Sequence, residues 1–261
     1  MGGNSVRVLT IASQKGGTGK TTTVINLAAA MAEEKRRVLV MDLDPQVSAS
    51  HWLGVTDSGP EILELFTRGG DPLELVRSTT IEGVEVIPSS TYLLALDAQL
   101  NKRRKSQNEA ITNYQADIKN LPRNRWDYIL IDTPPSFGTL PLAALAVGGE
   151  VLIPIEAKIM ALQGLALIMQ TIETVKREYN NGLKISGVVA CRVDTRTRHA
   201  WEVIDLMRET YGDKVLQTII RENVRTAEAP SFAKPVTQYA NKSTGAEDYR
   251  SLAREVIGQE R

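Results

Sequence analysis

Cysteine is almost missing from this chain, with Cys191 the sole example in 261 residues. One thiol excludes a disulfide framework and any cysteine-built metal or iron–sulfur centre within one chain. It is expected to be a small core residue of a strand, in a reducing cytosol. Net charge is missing too, because 31 Lys and Arg balance 31 Asp and Glu. No global field then steers the molecule toward DNA or an anionic membrane, and any such contact must come from local patches. No uninterrupted apolar run is long enough to span a bilayer, and Met1-Gly2-Gly3-Asn4-Ser5 leads into the first strand without signal-peptide features. The chain reads as cytoplasmic. It has no internal repeat, low-complexity tract or obvious linker, and 42% apolar against 24% charged residues suits a soluble protein with a sizeable core. One domain over residues 1–261 is expected.

What is present is organised around Ser13-Gln14-Lys15-Gly16-Gly17-Thr18-Gly19-Lys20-Thr21-Thr22. An apolar run, Val6 to Ala12, precedes it, and an apolar-periodic segment begins near Val24. Strand, glycine-rich turn and helix start are the context of a phosphate-binding loop. Glycines let backbone N–H groups turn inward with no Cβ in the way, and the helix start adds partial positive charge. Lys20 can then reach the β- and γ-phosphates, and Thr21 can place its hydroxyl on Mg²⁺. The strict pattern G-x-x-x-x-G-K-[ST] would put glycine at position 14. Gln14 stands there instead, and a second lysine, Lys15, heads the loop.

The remaining periodicity predicts an α/β fold: a doubly wound, mostly parallel sheet flanked by helices. Strands are expected at 6–12, 38–42, 84–88, 126–132, 151–155, 185–190 and 215–220. Helices are expected at 20–34, 162–179, 200–211 and 246–257, with a polar, mostly helical stretch over 93–121 and short helices at 61–66 and 72–76. The basic run Lys102-Arg103-Arg104-Lys105 reads as a solvated helix face. Ligands are expected at the carboxyl ends of the strands.

Two acids leave the second strand in Asp42-Leu43-Asp44-Pro45-Gln46. Asp42 could simply cap the following turn. Asp44, followed by proline, is expected in an exposed, pre-set loop, where it could orient or polarise the water that attacks a γ-phosphate. Asp132 closes the apolar strand Tyr128-Ile129-Leu130-Ile131 and fits the magnesium-side acid of phosphate-loop proteins, together with Thr21.

With these residues in hand, the chain resembles a ParA/Soj-type DNA-partition ATPase of the ParA/MinD class over essentially its whole length. The motifs that carry the resemblance are Lys15-Gly16-Gly17-Thr18-Gly19-Lys20-Thr21-Thr22, Asp42-Leu43-Asp44-Pro45-Gln46 and Ile131-Asp132-Thr133-Pro134-Pro135-Ser136. A further one is Asn223-Val224-Arg225-Thr226-Ala227-Glu228-Ala229-Pro230-Ser231 with Lys234-Pro235-Val236. The resemblance implies an ATP- and Mg²⁺-dependent ATPase that forms an ATP-sandwich homodimer. In that dimer Lys15 contacts the partner's nucleotide. It also implies nucleoid association through non-specific DNA binding, and slow hydrolysis stimulated by a cargo-bound ParB-like protein. The positions matching the family's DNA-contacting residues are Arg196 and Arg225, with Lys242 a third candidate.

The chain departs from the family where a common Pro-Arg pair before Asn-Val-Arg is replaced by Arg221-Glu222. That segment borders the adenine pocket in relatives, and the added arginine would extend the basic surface. Asn241 also replaces a common proline. Two neighbouring readings share the motifs. A MinD-like membrane positioner should end in an amphipathic helix with a basic face, whereas Ser251–Arg261 is short and mixed in charge, so no membrane contact is expected. A ParA-type ATPase that positions a protein organelle or receptor cluster on the nucleoid would look the same in sequence.

Overall fold

The computed structural model describes residues 6–122, 124–136 and 138–260. The leader Met1–Ser5 and Arg261, both part of the sequence reading, lie outside them. β1 (Arg7–Ile11) runs through the glycine loop into α1 (Lys20–Glu33), and β2 (Val38–Asp42) follows. Short elements come next: α2 (Ser48–Trp52), α3 (Glu64–Thr67) between two 3-10 turns, and a two-residue strand β3 (Arg77–Ser78). β4 (Val84–Ile87) precedes α4 (Tyr92–Leu100) and α5 (Arg104–Lys119), so the predicted helical stretch divides at Asn101–Arg103. β5 (Tyr128–Asp132), α6 (Thr139–Val147), β6 (Glu150–Glu156), α7 (Ala161–Glu178), β7 (Lys184–Val193), α8 (Arg198–Tyr211) and β8 (Val215–Arg221) then alternate. α9 (Val224–Glu228), α10 (Val236–Tyr239) and α11 (Thr244–Ile257) complete the order.

The strands form one sheet in the order β3-β4-β2-β5-β1-β6-β7-β8. Every neighbouring pair is parallel except β3 with β4. The chain winds outward from β1 in both directions, so the crevice at the carboxyl end of β1 is the topological switch point.

Alternation along each strand decides which face a side chain serves. Leu9, Ile11, Val38, Val40, Tyr128 and Leu130 pack beneath α1 and α11. Leu39, Met41, Ile129 and Ile131 pack on the other face with α3, α5 and α6. The same period carries Asp42 and Asp132 onto the α1 face. The register then sets Asp42 beside Asp132, and Asp132 beside Ile11 of β1. Two carboxylates and the phosphate loop therefore converge from sequence period and parallel register alone.

Cys191 is buried in β7, as expected of a core thiol. The apolar face of α11, with Tyr249, Leu252, Ala253 and Val256, is enclosed in the core against α1. No helix among the described residues is long and apolar enough to cross a membrane.

Candidate nucleotide site

The loop between β1 and α1 depends on two glycines for its path. Gly17 has φ of 78° and Gly19 a φ of 92°, the left-handed region that side chains with a Cβ resist. An added Cβ at either would meet no protein atom within 4 Å, so both glycines border open space. Among the described residues, the backbone N–H groups of Gly17, Gly19, Lys20, Thr21 and Thr22 have no protein acceptor. Unpaired N–H groups at a helix start facing open space make an anion cradle. Ser13 and Thr18 brace it from below, their hydroxyls 2.5 Å apart. Gly16 stands over Pro135 of the loop after β5.

The two lysines behave differently. Lys20 is only 7% exposed, and its Nζ donates to the Lys15 carbonyl at 3.3 Å. Burial lowers its pKa, against the opposing pull of Asp132 and Asp44. A desolvated ammonium that makes one long bond is held in readiness for an anion. Lys15 is exposed at the loop's mouth, and among the described residues its Nζ reaches only the Met160 carbonyl, at 3.5 Å. Gln14, at the position where the strict pattern has glycine, lies against Gly164 of α7, close enough that a Cβ there would stand 3.5 Å from its Oε1.

Asp132 is fully buried, and Thr21 Oγ1 donates to its Oδ2 at 2.7 Å. Its Oδ1 is buried with no partner among the described residues. Burial first, and then the Asp42 charge, hold the Asp132 carboxyl well above the usual range despite the Thr21 hydrogen bond. A hydroxyl, an orphaned carboxylate oxygen and an adjoining anion cradle form the oxygen set that suits Mg²⁺ bound with a nucleotide's phosphates. Among the described residues no group of three His, Cys, Asp or Glu could hold a metal by itself. The cation's remaining ligands would have to be phosphate oxygens and water.

Asp44 corrects the sequence reading. It is 8% exposed, not a solvent-exposed loop residue. The turn folds back because Asp42 Oδ1 accepts the Asp44 N–H at 3.0 Å, while Asp44 Oδ1 accepts the Gln46 N–H at 3.0 Å. That leaves Asp44 Oδ2 without a protein donor among the described residues, near Lys20. Asp42 is the capping acid, as its simpler reading had it. Its Oδ2 also accepts the N–H and Oγ of Ser50, at 2.9 and 2.7 Å. Burial pushes its carboxyl up to about 6 against those hydrogen bonds.

A cleft of about 280 Å³ opens beside Gly17, Gly19 and Thr22, walled by Arg221, Asn223 and Thr226. Arg221 does not extend the basic surface. Its guanidinium holds Asp248 with hydrogen bonds of 2.6 to 3.1 Å, and Asp248 also accepts its backbone N–H at 2.8 Å. Two of the DNA candidates, Arg196 and Arg225, follow β7 and β8 at this same carboxyl edge. Arg196 is exposed and paired with Asp194 at 2.8 Å, and Arg225 is exposed and paired with Glu228 at 2.9 Å. Lys242 is exposed between α10 and α11. The run 102–105 lies at the α4–α5 break, with Arg104 on Glu178 and Lys105 facing Glu109.

Ser50, Ser89 and Gly164 were not anticipated from sequence. None belongs to a motif, and each acts on a segment distant in the chain.

Comparison with known proteins places the chain in a family. Residues 6–185 match the family described as AAA domain. The chain is 38% identical over 263 residues to the chromosome partitioning protein ParA of Caulobacter vibrioides, covering 100% of this chain and 97% of that one. It is 39% identical over 256 residues to the chromosome-partitioning ATPase Soj of Thermus thermophilus, covering 97% and 96%. The structure of cobyrinic acid a,c-diamide synthase from Mycobacterium smegmatis, with bound ADP and magnesium, is similar with a TM-score of 0.80 at 29% identity, over 98% of this chain and 97% of that one. Fold and site together define a phosphate-loop ATPase with a lysine-headed loop. Within that class the chain belongs to the ParA/Soj family of partition ATPases.

Proposed function

We propose that the chain, as one unit over 1–261, is a Mg-ATP-dependent partition ATPase whose ATP-bound form is a face-to-face homodimer on DNA. The observation that carries this reading is the division of labour between lysines: Lys20 buried behind the cradle, Lys15 exposed in front of it. A lysine pointing out of its own site is placed to offset phosphate charge in a second copy, as an arginine finger supplied in trans does.

Within one protomer, the N–H groups of residues 16–22 and the Lys20 ammonium bind phosphate oxygens. Thr21 and Asp132 would hold Mg²⁺, which when bound neutralises charge on the β- and γ-oxygens. Asp44 presents its free oxygen to the attacking water and orients it. The cleft beside Asn223 and Thr226 takes the base. Arg196, Arg225 and Lys242 contact DNA phosphates, giving sequence-independent binding on the nucleoid of a cytoplasmic protein. A cargo-bound ParB-like protein stimulates hydrolysis. The enclosed apolar face of α11 supports a reading without membrane contact.

DNA binding measured against salt, with ATP, ADP and a non-hydrolysable analogue, tests this. Binding should need ATP or the analogue and fall steeply with salt, and ATP-independent binding would sink the switch. Lys20→Ala should abolish ATP binding. Asp44→Ala should keep ATP, dimer and DNA binding and lose hydrolysis.

A further inference from the structure

We propose that Ser50, with Asp42, is a positioning residue for the Asp44 carboxylate, acting through a buried chain of hydrogen bonds that ties three elements together. The proposal rests on the role given to Asp44 above. Ser50 is fully buried near the start of α2 and lines no part of the nucleotide cleft. Its Oγ donates to Asp42 Oδ2 at 2.7 Å and accepts the N–H of Ser89, just past β4, at 3.0 Å. Asp42 in turn receives the Asp44 N–H at 3.0 Å. One hydroxyl thus joins the ends of β2 and β4 to the loop that carries Asp44.

The loop needs this tie because its backbone is under tension. Val47, three residues after Asp44, has φ of 58°, in the left-handed region. A β-branched side chain disfavours that region strongly, so the conformation persists only where the surroundings enforce it. The enforcing contacts are few. Val47 N–H donates to the Asp44 carbonyl at 2.8 Å, Leu43 N–H to the Asp132 carbonyl at 3.0 Å, and Ser50 holds Asp42 on the far side. Removing the hydroxyl deletes one donor to Asp42 and strips the buried Ser89 N–H of its acceptor. The strained turn is then free to relax. A displacement near 1 Å at a catalytic group can cost on the order of 10²-fold in rate.

Ser50→Ala should therefore lower kcat for ATP hydrolysis by about tenfold or more, within that bound. Nucleotide affinity, measured with a fluorescent ATP analogue, should stay within about threefold, because the cradle and Lys20 are untouched. Ser50→Thr, which keeps the hydroxyl, should recover most of kcat. Asp42→Asn, which turns one acceptor into a donor, should repeat the Ser50→Ala pattern and serves if Ser50→Ala does not fold. Normal kcat in a folded Ser50→Ala protein overturns the proposal. So does an equal loss of kcat and affinity, which marks a structural role only. Asp44→Ala is assayed alongside: if it hydrolyses ATP normally, the reading of Asp44 has failed, whereas its inactivity beside an active Ser50→Ala condemns the relay alone.

Discussion

Asp42 and Asp132 end neighbouring strands in register, and neither side chain reaches solvent. Burial raises the cost of charging both, and the Asp42 charge raises it further for Asp132, as the Asp44 charge does for Asp42. The Asp42 carboxyl, pushed up to about 6, binds its proton more tightly in the folded chain than in the unfolded one. Its contribution to stability is therefore full at low pH and is lost as pH rises through about 6. Melting temperatures of the nucleotide-free wild type and Asp42→Asn, compared across that range, should shift relative to one another. The wild type should lose ground to the variant as pH rises, and a constant gap would contradict the raised pKa. At this scale Lys20, Thr21, Asp44 and Asp132 were legible because each sits at a fixed offset from a strand or glycine turn. Ser50 was not, since its acceptor at the end of β2 and its donor just past β4 are brought together only by the folded sheet. The burial of Asp44 was misread because proline marks a turn, while the hydrogen bond that folds this turn inward comes from Asp42.

Helix α1 shows how an element transmits order from the cradle to the end of the chain. Asn26, fully buried in α1, donates to the Thr22 carbonyl at 2.7 Å and accepts the Val236 N–H at 2.7 Å. Trp52 of α2 adds a bond from its Nε1 to the Lys234 carbonyl at 2.8 Å. Asn26→Ala leaves the Val236 N–H buried and unpaired, at a cost of about 1–3 kcal/mol. Calorimetry should show a fall of roughly 2–4 °C for each kcal/mol lost in a chain of this length. An unchanged melting temperature would mean that water replaces the asparagine. Elements with a strong period or a loop motif were readable: α1, α7, α8, β2 and β5 fall within a residue or two of their expected ends, β5 starting two residues late. Helix α6 was missed because Leu140, Pro141, Ala143, Ala144, Leu145 and Ala146 are all buried, leaving no polar face to mark a helical period. α2, α9 and α10 span a turn or so each, and β3 only two residues, too short for any period to register.

For the whole molecule, zero net charge makes the carboxyl edge of the sheet the place where polarity is decided. Arg196 and Arg225 each share their charge with a neighbouring acid, Asp194 and Glu228. Exposed pairs of this kind are worth about 0–1 kcal/mol, so under the proposed function a DNA phosphate can take the arginine over. Glu228→Gln should then tighten ATP-dependent DNA binding by a few-fold, about what releasing one such pair allows. Arg225→Glu should weaken DNA binding and flatten its salt dependence by roughly one unit of slope, with ATP-dependent dimerisation intact. Filter binding across a salt series reads both, and loss of dimerisation in Arg225→Glu would make that arginine structural.

The scarcity of cysteine has a practical consequence once Cys191 is seen in place. The thiol is 3% exposed, and burial pushes its pKa up to about 12, so at neutral pH it offers almost no thiolate to an alkylating dye. A cysteine introduced at the surface away from the proposed DNA contacts, for example Lys119→Cys at the end of α5, would be the one group to react. The wild-type chain thus serves as its own blank for fluorescence labelling, and a probe at position 119 leaves the proposed DNA contacts intact, with no native thiol to remove beforehand.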